Sequence, residues 1–212
     1  MRSNYFIGVD LGQRRDHTAL AVLERAEVEG EWDAVWYRRR REERRSLRHL
    51  ERVALGTPYP EIVERVRGLA QSPWLAGRST VVVAATGVGA PVVDMLRRAR
   101  LGATLVAVLI TGGETESRGD GNYRVPKRDL ITGLQVMLEG QELLVAKGLK
   151  DGPALLREMA GMEVRAGAQG RESYGAWREG THDDLVLAVA LACWGLRKRY
   201  GAKVGEIGRS LW

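Results

Sequence analysis

Cysteine is almost absent: Cys193 is the only one in 212 residues, so neither a disulfide framework nor a cysteine-based zinc cluster is available. No apolar run reaches the roughly 18 uncharged residues that a membrane-crossing helix needs. The opening MRSNYFIGVD also lacks the apolar core of a signal peptide. An intracellular protein off the membrane is therefore expected. No repeat, low-complexity stretch or Pro/Ser-rich linker divides the chain, so one domain over residues 1–212 is the simplest reading. Missing too is any G-x-x-x-x-G-K-[ST] phosphate loop, so ATP hydrolysis of that kind is not expected of these residues.

What is present is an ordinary globular balance, 44% hydrophobic and 28% charged, which excludes wholesale disorder. Lys and Arg number 33 against 27 Asp and Glu, a net charge of +6. Placement matters more than the sum. Six arginines fall within residues 38–45, with Arg48 close behind. Such a run can neutralise backbone phosphates, but it can equally be a solvated edge strand and turn whose charges block edge-to-edge pairing. Glu42 and Glu43 soften its field. Charge leaves both readings open.

Periodicity supplies the frame. Residues 5–10 read as a buried strand, 18–25 as a second and 33–39 as a third, forming an antiparallel meander. Residues 60–70 carry Ile62, Val63, Val66 and Leu69 on one helical face. A Val-rich run over 79–85 suits a central strand buried on both sides, and Thr86-Gly87-Val88-Gly89 turns it into a helix over 90–100. A strand over 104–110, a polar loop or hairpin over 111–125 and a helix over 127–139 follow. A short strand over 143–146, a helix over 153–161 and a hairpin over 164–174 come next. The last helix, over 181–200, has Thr181 as its N-cap and is apolar enough to be buried. The expected fold class is α/β, a mixed central sheet with its first three strands antiparallel, flanked by helices. Cys193 and the six tryptophans read as packing residues, Trp177 being the one placed to touch a ligand near the last helix.

Candidate chemistry lies where carboxylates interrupt apolar segments. Asp10 closes a buried strand, and Asp183 and Asp184 open the buried last helix. Each has a plain structural explanation, since a strand-end acid caps a turn and first-turn acids suit the helix dipole. Taken together they can converge on divalent cations, because Mg²⁺ and Mn²⁺ prefer oxygen ligands and a pair of ions suits in-line attack on a phosphodiester. His182 reads as a helix-start packing residue or as a ligand.

Four segments in order carry a family resemblance. They are Ile7-Gly8-Val9-Asp10-Leu11-Gly12 with Asp16-His17-Thr18; Val82-Val83-Ala84-Ala85-Thr86-Gly87-Val88-Gly89; Val125-Pro126-Lys127-Arg128-Asp129-Leu130; and His182-Asp183-Asp184-Leu185 with Ala188. The set resembles the RNase H-like nuclease domain of viral large terminases, the DNA-packaging motor subunit. The resemblance implies an RNase H-like fold and metal-dependent endonucleolytic cutting of concatemeric viral DNA. It implies a two-ion Mg²⁺ or Mn²⁺ site, with Asp10 bridging the ions, Asp184 and Asp183 completing the site, and Asp16 reaching a metal through water. Arg118, Arg124, Lys127 and Arg128 would lie along double-stranded DNA. The implied partners are the terminase ATPase domain, the small terminase subunit and the portal protein, in the host cytoplasm with no membrane.

One position departs from the pattern. Where such domains read Asp-Ala-Thr-Gly, this chain reads Ala84-Ala85-Thr86-Gly87. Alanine supplies no ligand oxygen, so weak metal binding and impaired cutting are expected. Three alternatives fit the same residues: a junction-resolvase-like nuclease of the same fold, an actin-like ATPase or sugar kinase, and a DNA-binding or motor-docking module without catalysis.

Overall fold

Strand β1 (Ser3–Asp10) alternates its side chains between two cores. Tyr5, Ile7 and Val9 enter one, while Phe6 enters the other, as the two-residue period of a strand requires. The computed structural model describes residues 3–12, 16–87, 89–166, 172–175 and 182–200, with the side chains of 163–166, 172–175 and 200 outside that description. After β1 come β2 (Ala19–Asp33), β3 (Arg38–Arg52), α1 (Tyr59–Ala70), β4 (Ser79–Ala84), α2 (Gly89–Arg98) and β5 (Thr104–Thr111). Next are β6 (Ser117–Gly119), β7 (Asn122–Pro126), α3 (Lys127–Glu139), β8 (Leu143–Val145) and α4 (Gly152–Gly161). The hairpin β9 (Glu163–Ala166) and β10 (Glu172–Gly175) precedes α5 (Asp184–Tyr200).

Eight strands form one mixed sheet in the order β6-β7-β5-β4-β1-β2-β3-β8. The pairs β1–β2 and β2–β3 are antiparallel, as the meander predicts. The pairs β1–β4, β4–β5 and β5–β7 are parallel. Helices α1 and α2 cover one face through Val63, Val66, Val92, Val93 and Leu96. Helices α3, α4 and α5 cover the other. All six residues of β4 are buried, so its Val-rich run reflects cover on both sides.

Helix α5 is the centrepiece of its layer. Every residue from Asp184 to Leu196 is buried, which explains a segment apolar all round rather than along one stripe. It lies close on β1 because Gly8 has no side chain. A Cβ there would run into the Ala188 carbonyl and the Ala192 amide nitrogen. Cys193 is fully buried in this helix, and burial pushes its thiol up to about 12.

Two expectations need correcting. The third strand does not occupy 33–39; residues 34–37 are turn and β3 runs Arg38–Arg52, with β2 correspondingly extended to Asp33. The basic run therefore lies within β3, and β8 covers only Arg45 to Leu47 of it. Its charges sit on an exposed edge and so carry no alternating apolar signal. Nor are the tryptophans uniformly packing residues. Trp194 is 4% exposed, whereas Trp32, Trp36 and Trp74 are 57%, 69% and 72% exposed. Trp177 and Thr181 lie outside the described residues.

Candidate active site at the carboxyl ends of β1 and β4

Register brings the first two positions together. In the parallel pair β1–β4, Gly8 faces Val82 and Val9 faces Val83, so Asp10 and Ala84 lie next to each other one step further on. Parity points both toward the α5 layer, like Phe6 and Val82 before them. The helix completes the arrangement. Ala188 sits over Gly8, and four residues of helix rise about 6 Å, matching two residues of strand. The first turn of α5 therefore reaches the level of Asp10. This is the crevice at the carboxyl ends of parallel strands where α/β sheets bind ligands.

Asp10 is half-buried and electrostatically crowded. Burial pushes its carboxyl up to about 8, and the negative charges of Asp183, Asp184 and Asp16 push the same way against the pull of Lys127. Asp183, also half-buried, accepts a 2.6 Å hydrogen bond from Lys127 Nζ at the start of α3. Its carbonyl accepts from the Leu187 amide at 2.8 Å, opening α5.

Asp184 is held differently. It is 3% exposed and accepts 2.8 Å from Arg52 Nε and 3.4 Å from Arg52 Nη2. Arg52 also pairs with Glu158 of α4. Glu158, 8% exposed, accepts from the Val186 amide at 3.1 Å. The Arg52 amide donates to Asp151 at 2.9 Å. A satisfied buried network thus ties the end of β3 to α4 and to the first turn of α5. Of the two adjacent acids, Asp183 is the more open to the crevice.

The other expected residues fall around this centre. Asp16 is exposed. His17 sends Nδ1 to the Val53 carbonyl at 2.9 Å, which makes that nitrogen the donor, and its ring meets His182 edge-on with centroids 5.4 Å apart. Gly12 and Thr18 exchange two 3.2 Å hydrogen bonds. The Thr86-Gly87 turn has a structural reason. Thr86 Oγ1 accepts from the Ile110 amide at 2.8 Å, and Gly87 adopts φ +59°. A Cβ on Gly89 would strike the Ala84 carbonyl. Asp94 is exposed and bonded to Arg97 at 2.8 Å on the surface of α2.

Arg118 and Arg124 sit exposed on the β6–β7 hairpin, Arg118 over the Tyr123 ring at 5.0 Å and Arg124 paired with Asp120 at 3.1 Å. Arg128 is half-buried and donates to the Glu114 carbonyl at 3.4 Å. The hairpin leads directly into Lys127, so this basic row abuts the acids.

Arg52 and Glu158 were not singled out by the sequence. Arg52 is one of many arginines, and Glu158 follows an ordinary Leu155-Leu156-Arg157 helix pattern. Among the described residues no three His, Cys, Asp or Glu side chains are gathered into a metal-binding group. Position 84 carries a methyl, Asp184 pairs with Arg52 and Asp183 with Lys127.

Comparison with solved structures is decisive for the fold. The large terminase nuclease of thermophilic phage G20c, with bound magnesium, matches at TM-score 0.61 and 22% identity over 91% of this chain and 81% of that one. The nuclease domain of large terminase subunit gp2 of bacterial virus Sf6 matches at 0.59 and 15%, over 90% and 87%. That of bacteriophage SPP1, with bound Mn, matches at 0.51 and 12%, over 92% and 86%. The fold is that of large terminase nuclease domains, RNase H-like. No protein-family model and no curated protein matches the sequence. At these identities the terminase likeness is one of fold.

Proposed function

We propose that the chain is a DNA endonuclease domain of large-terminase type, acting on concatemeric viral DNA during packaging, and impaired as it stands by Ala84. The observation that carries this reading is the crowding around Asp10. Burial first, and then three further carboxylates, raise its proton affinity at the carboxyl end of β1, where a hard cation would relieve the repulsion. The donor set suits one Mg²⁺ or Mn²⁺ held by Asp10 and Asp183, with Asp16 at the rim. A second ion lacks the oxygen that an aspartate at position 84 would supply. Bound divalent ions activate water and neutralise charge on the transferring phosphate.

The chain's own groups have distinct parts. Asp10 offers its carboxylate once its proton is gone. Lys127 positions Asp183 and places a positive charge beside the phosphate path. Arg118, Arg124 and Arg128 hold the DNA backbone along the hairpin and the start of α3, a positioning contact without base readout. Arg52 and Glu158 keep the first turn of α5 in place. The ATPase domain, small terminase subunit and portal are the proposed assembly partners, and the host cytoplasm the proposed location. Among the described residues, no helix is long and apolar enough to cross a membrane.

Ala84 itself favours a second reading, a DNA-binding or motor-docking module that does not cut. Plasmid cleavage separates the two. In Mg²⁺ and in Mn²⁺ the unaltered chain should cut poorly, Ala84→Asp should cut well, and Asp10→Asn or Asp183→Asn in that background should abolish cutting. Binding without cutting in both forms supports the second reading. Robust cutting by the unaltered chain refutes the role assigned to position 84.

A further inference from the structure

The β2–β3 hairpin extends far beyond the sheet that anchors it. β1 accompanies β2 only as far as Ala26, and β8 reaches β3 only at Arg45 to Leu47. Among the described residues, the backbones of 27–33 and 38–43 pair only with each other, making a two-stranded arm. Its free end carries the most exposed large apolar side chains of that region: Trp32 at 57%, Val35 at 79%, Trp36 at 69% and Tyr37 at 81%. Four consecutive arginines, Arg38 to Arg41, follow, and all are exposed.

Charge is distributed unevenly along the arm. Over 27–44 five arginines face six acids, so its base gives no positive field. From Trp32 to Arg41 the balance is four arginines against Asp33 alone, 4 − 1 = +3. Asp33 is moreover engaged in the turn, accepting from the Val35 and Trp36 amides at 3.0 and 3.2 Å and from Arg40 at 3.0 Å. The pairs Arg39–Glu29 and Arg41–Glu27 are 3.7 and 3.9 Å long and exposed. Such pairs contribute little and give way to a phosphate. Exposed tryptophan and tyrosine in a tight turn beside four arginines have no use for edge protection alone, which charge would accomplish unaided.

We infer that the tip of this arm is a second double-stranded DNA contact, in which Arg38 to Arg41 bind phosphates and Trp36 and Tyr37 pack against the sugars of a groove. The inference rests on the DNA-nuclease reading for its choice of ligand. The contact is remote from the acids. Asp10 is level with Ala19, and at about 3.3 Å per residue the run from Ala19 to Asp33 spans roughly 45 Å. That is about 13 base pairs of duplex. The arm therefore adds affinity on long DNA and lies outside the cutting centre.

Fluorescence anisotropy with a labelled duplex of about 30 base pairs and one of about 10, in EDTA over a salt series, tests this. The variants are Arg39→Ala/Arg40→Ala/Arg41→Ala and Trp36→Ala/Tyr37→Ala, with thermal melts confirming that each stays folded. On the long duplex the arginine variant should lose about tenfold in affinity and lower the log–log salt slope by about 2.7. The aromatic variant should weaken binding with the slope unchanged, and neither should matter on the short duplex. Unchanged affinity and slope in a chain that binds DNA overturn the arm contact and leave the tip to an acidic protein surface. If the unaltered chain binds neither duplex, the arm contact and the DNA-nuclease reading both fall. Arm-dependent binding with no cutting by Ala84→Asp keeps the arm and removes only the nuclease.

Discussion

Asp10 sits where an ionised carboxylate costs stability. Burial, helped by the neighbouring carboxylates, pushes its folded carboxyl up to about 8 from an ordinary 3.8, so between those values the folded chain holds a proton that the unfolded chain has released. Stability must then fall as pH rises through that window, and below it the penalty vanishes. Asn in place of Asp10 removes the penalty. In EDTA, Asp10→Asn should melt a few degrees higher than the unaltered chain at pH 8 and show no gain at pH 4. Equal melting at both pH values would show that the acid is not crowded. Arg52 behaves in the opposite sense. Arg52→Ala leaves Asp184 and Glu158 buried and unpaired, and denaturant unfolding should show a loss of about 3 kcal/mol or more. Asp10, Asp183 and Asp184 were legible in the sequence because a charge inside an apolar segment needs a reason. Arg52 and Glu158 were not, because their partners lie 132 and 106 residues apart in pairs that no local pattern records.

At the scale of elements, the contact between β1 and α5 sets the distance from Asp10 to the helix acids. Gly8→Ala places a methyl against helix backbone that cannot yield as a side chain would. A loss of about 1–3 kcal/mol or more is expected, whereas Gly112→Ala, with open space around it, should be nearly neutral. Comparable chemical denaturation of the two variants would refute the close approach. The α3 helix matched its expected 127–139 span because its apolar period is strong and Pro126 precedes it. The β2–β3 arm was misplaced for the converse reason. Its residues have no core face, so the alternation that reveals a half-buried strand is absent and only the pairing of the two strands holds them extended.

For the whole molecule, the three-layer α/β arrangement was readable from the Val-rich run at 79–85 and the apolar run at 185–196, which double-sided cover explains. The strand order was less accessible, since β8 joins β3 by parallel pairing across nearly a hundred residues. The site was readable as residue types but not as partners: whether Asp183 or Asp184 faces the crevice depends on Arg52 and Lys127. The proposed cation site is the common root of the nuclease reading. Mn²⁺ binding followed by electron paramagnetic resonance at pH 8 addresses it directly. The unaltered chain should bind one ion weakly, Ala84→Asp should bind two, and Asp10→Asn should bind none at the site. Mn²⁺ binding indifferent to Asp10→Asn would contradict a cation site built on Asp10.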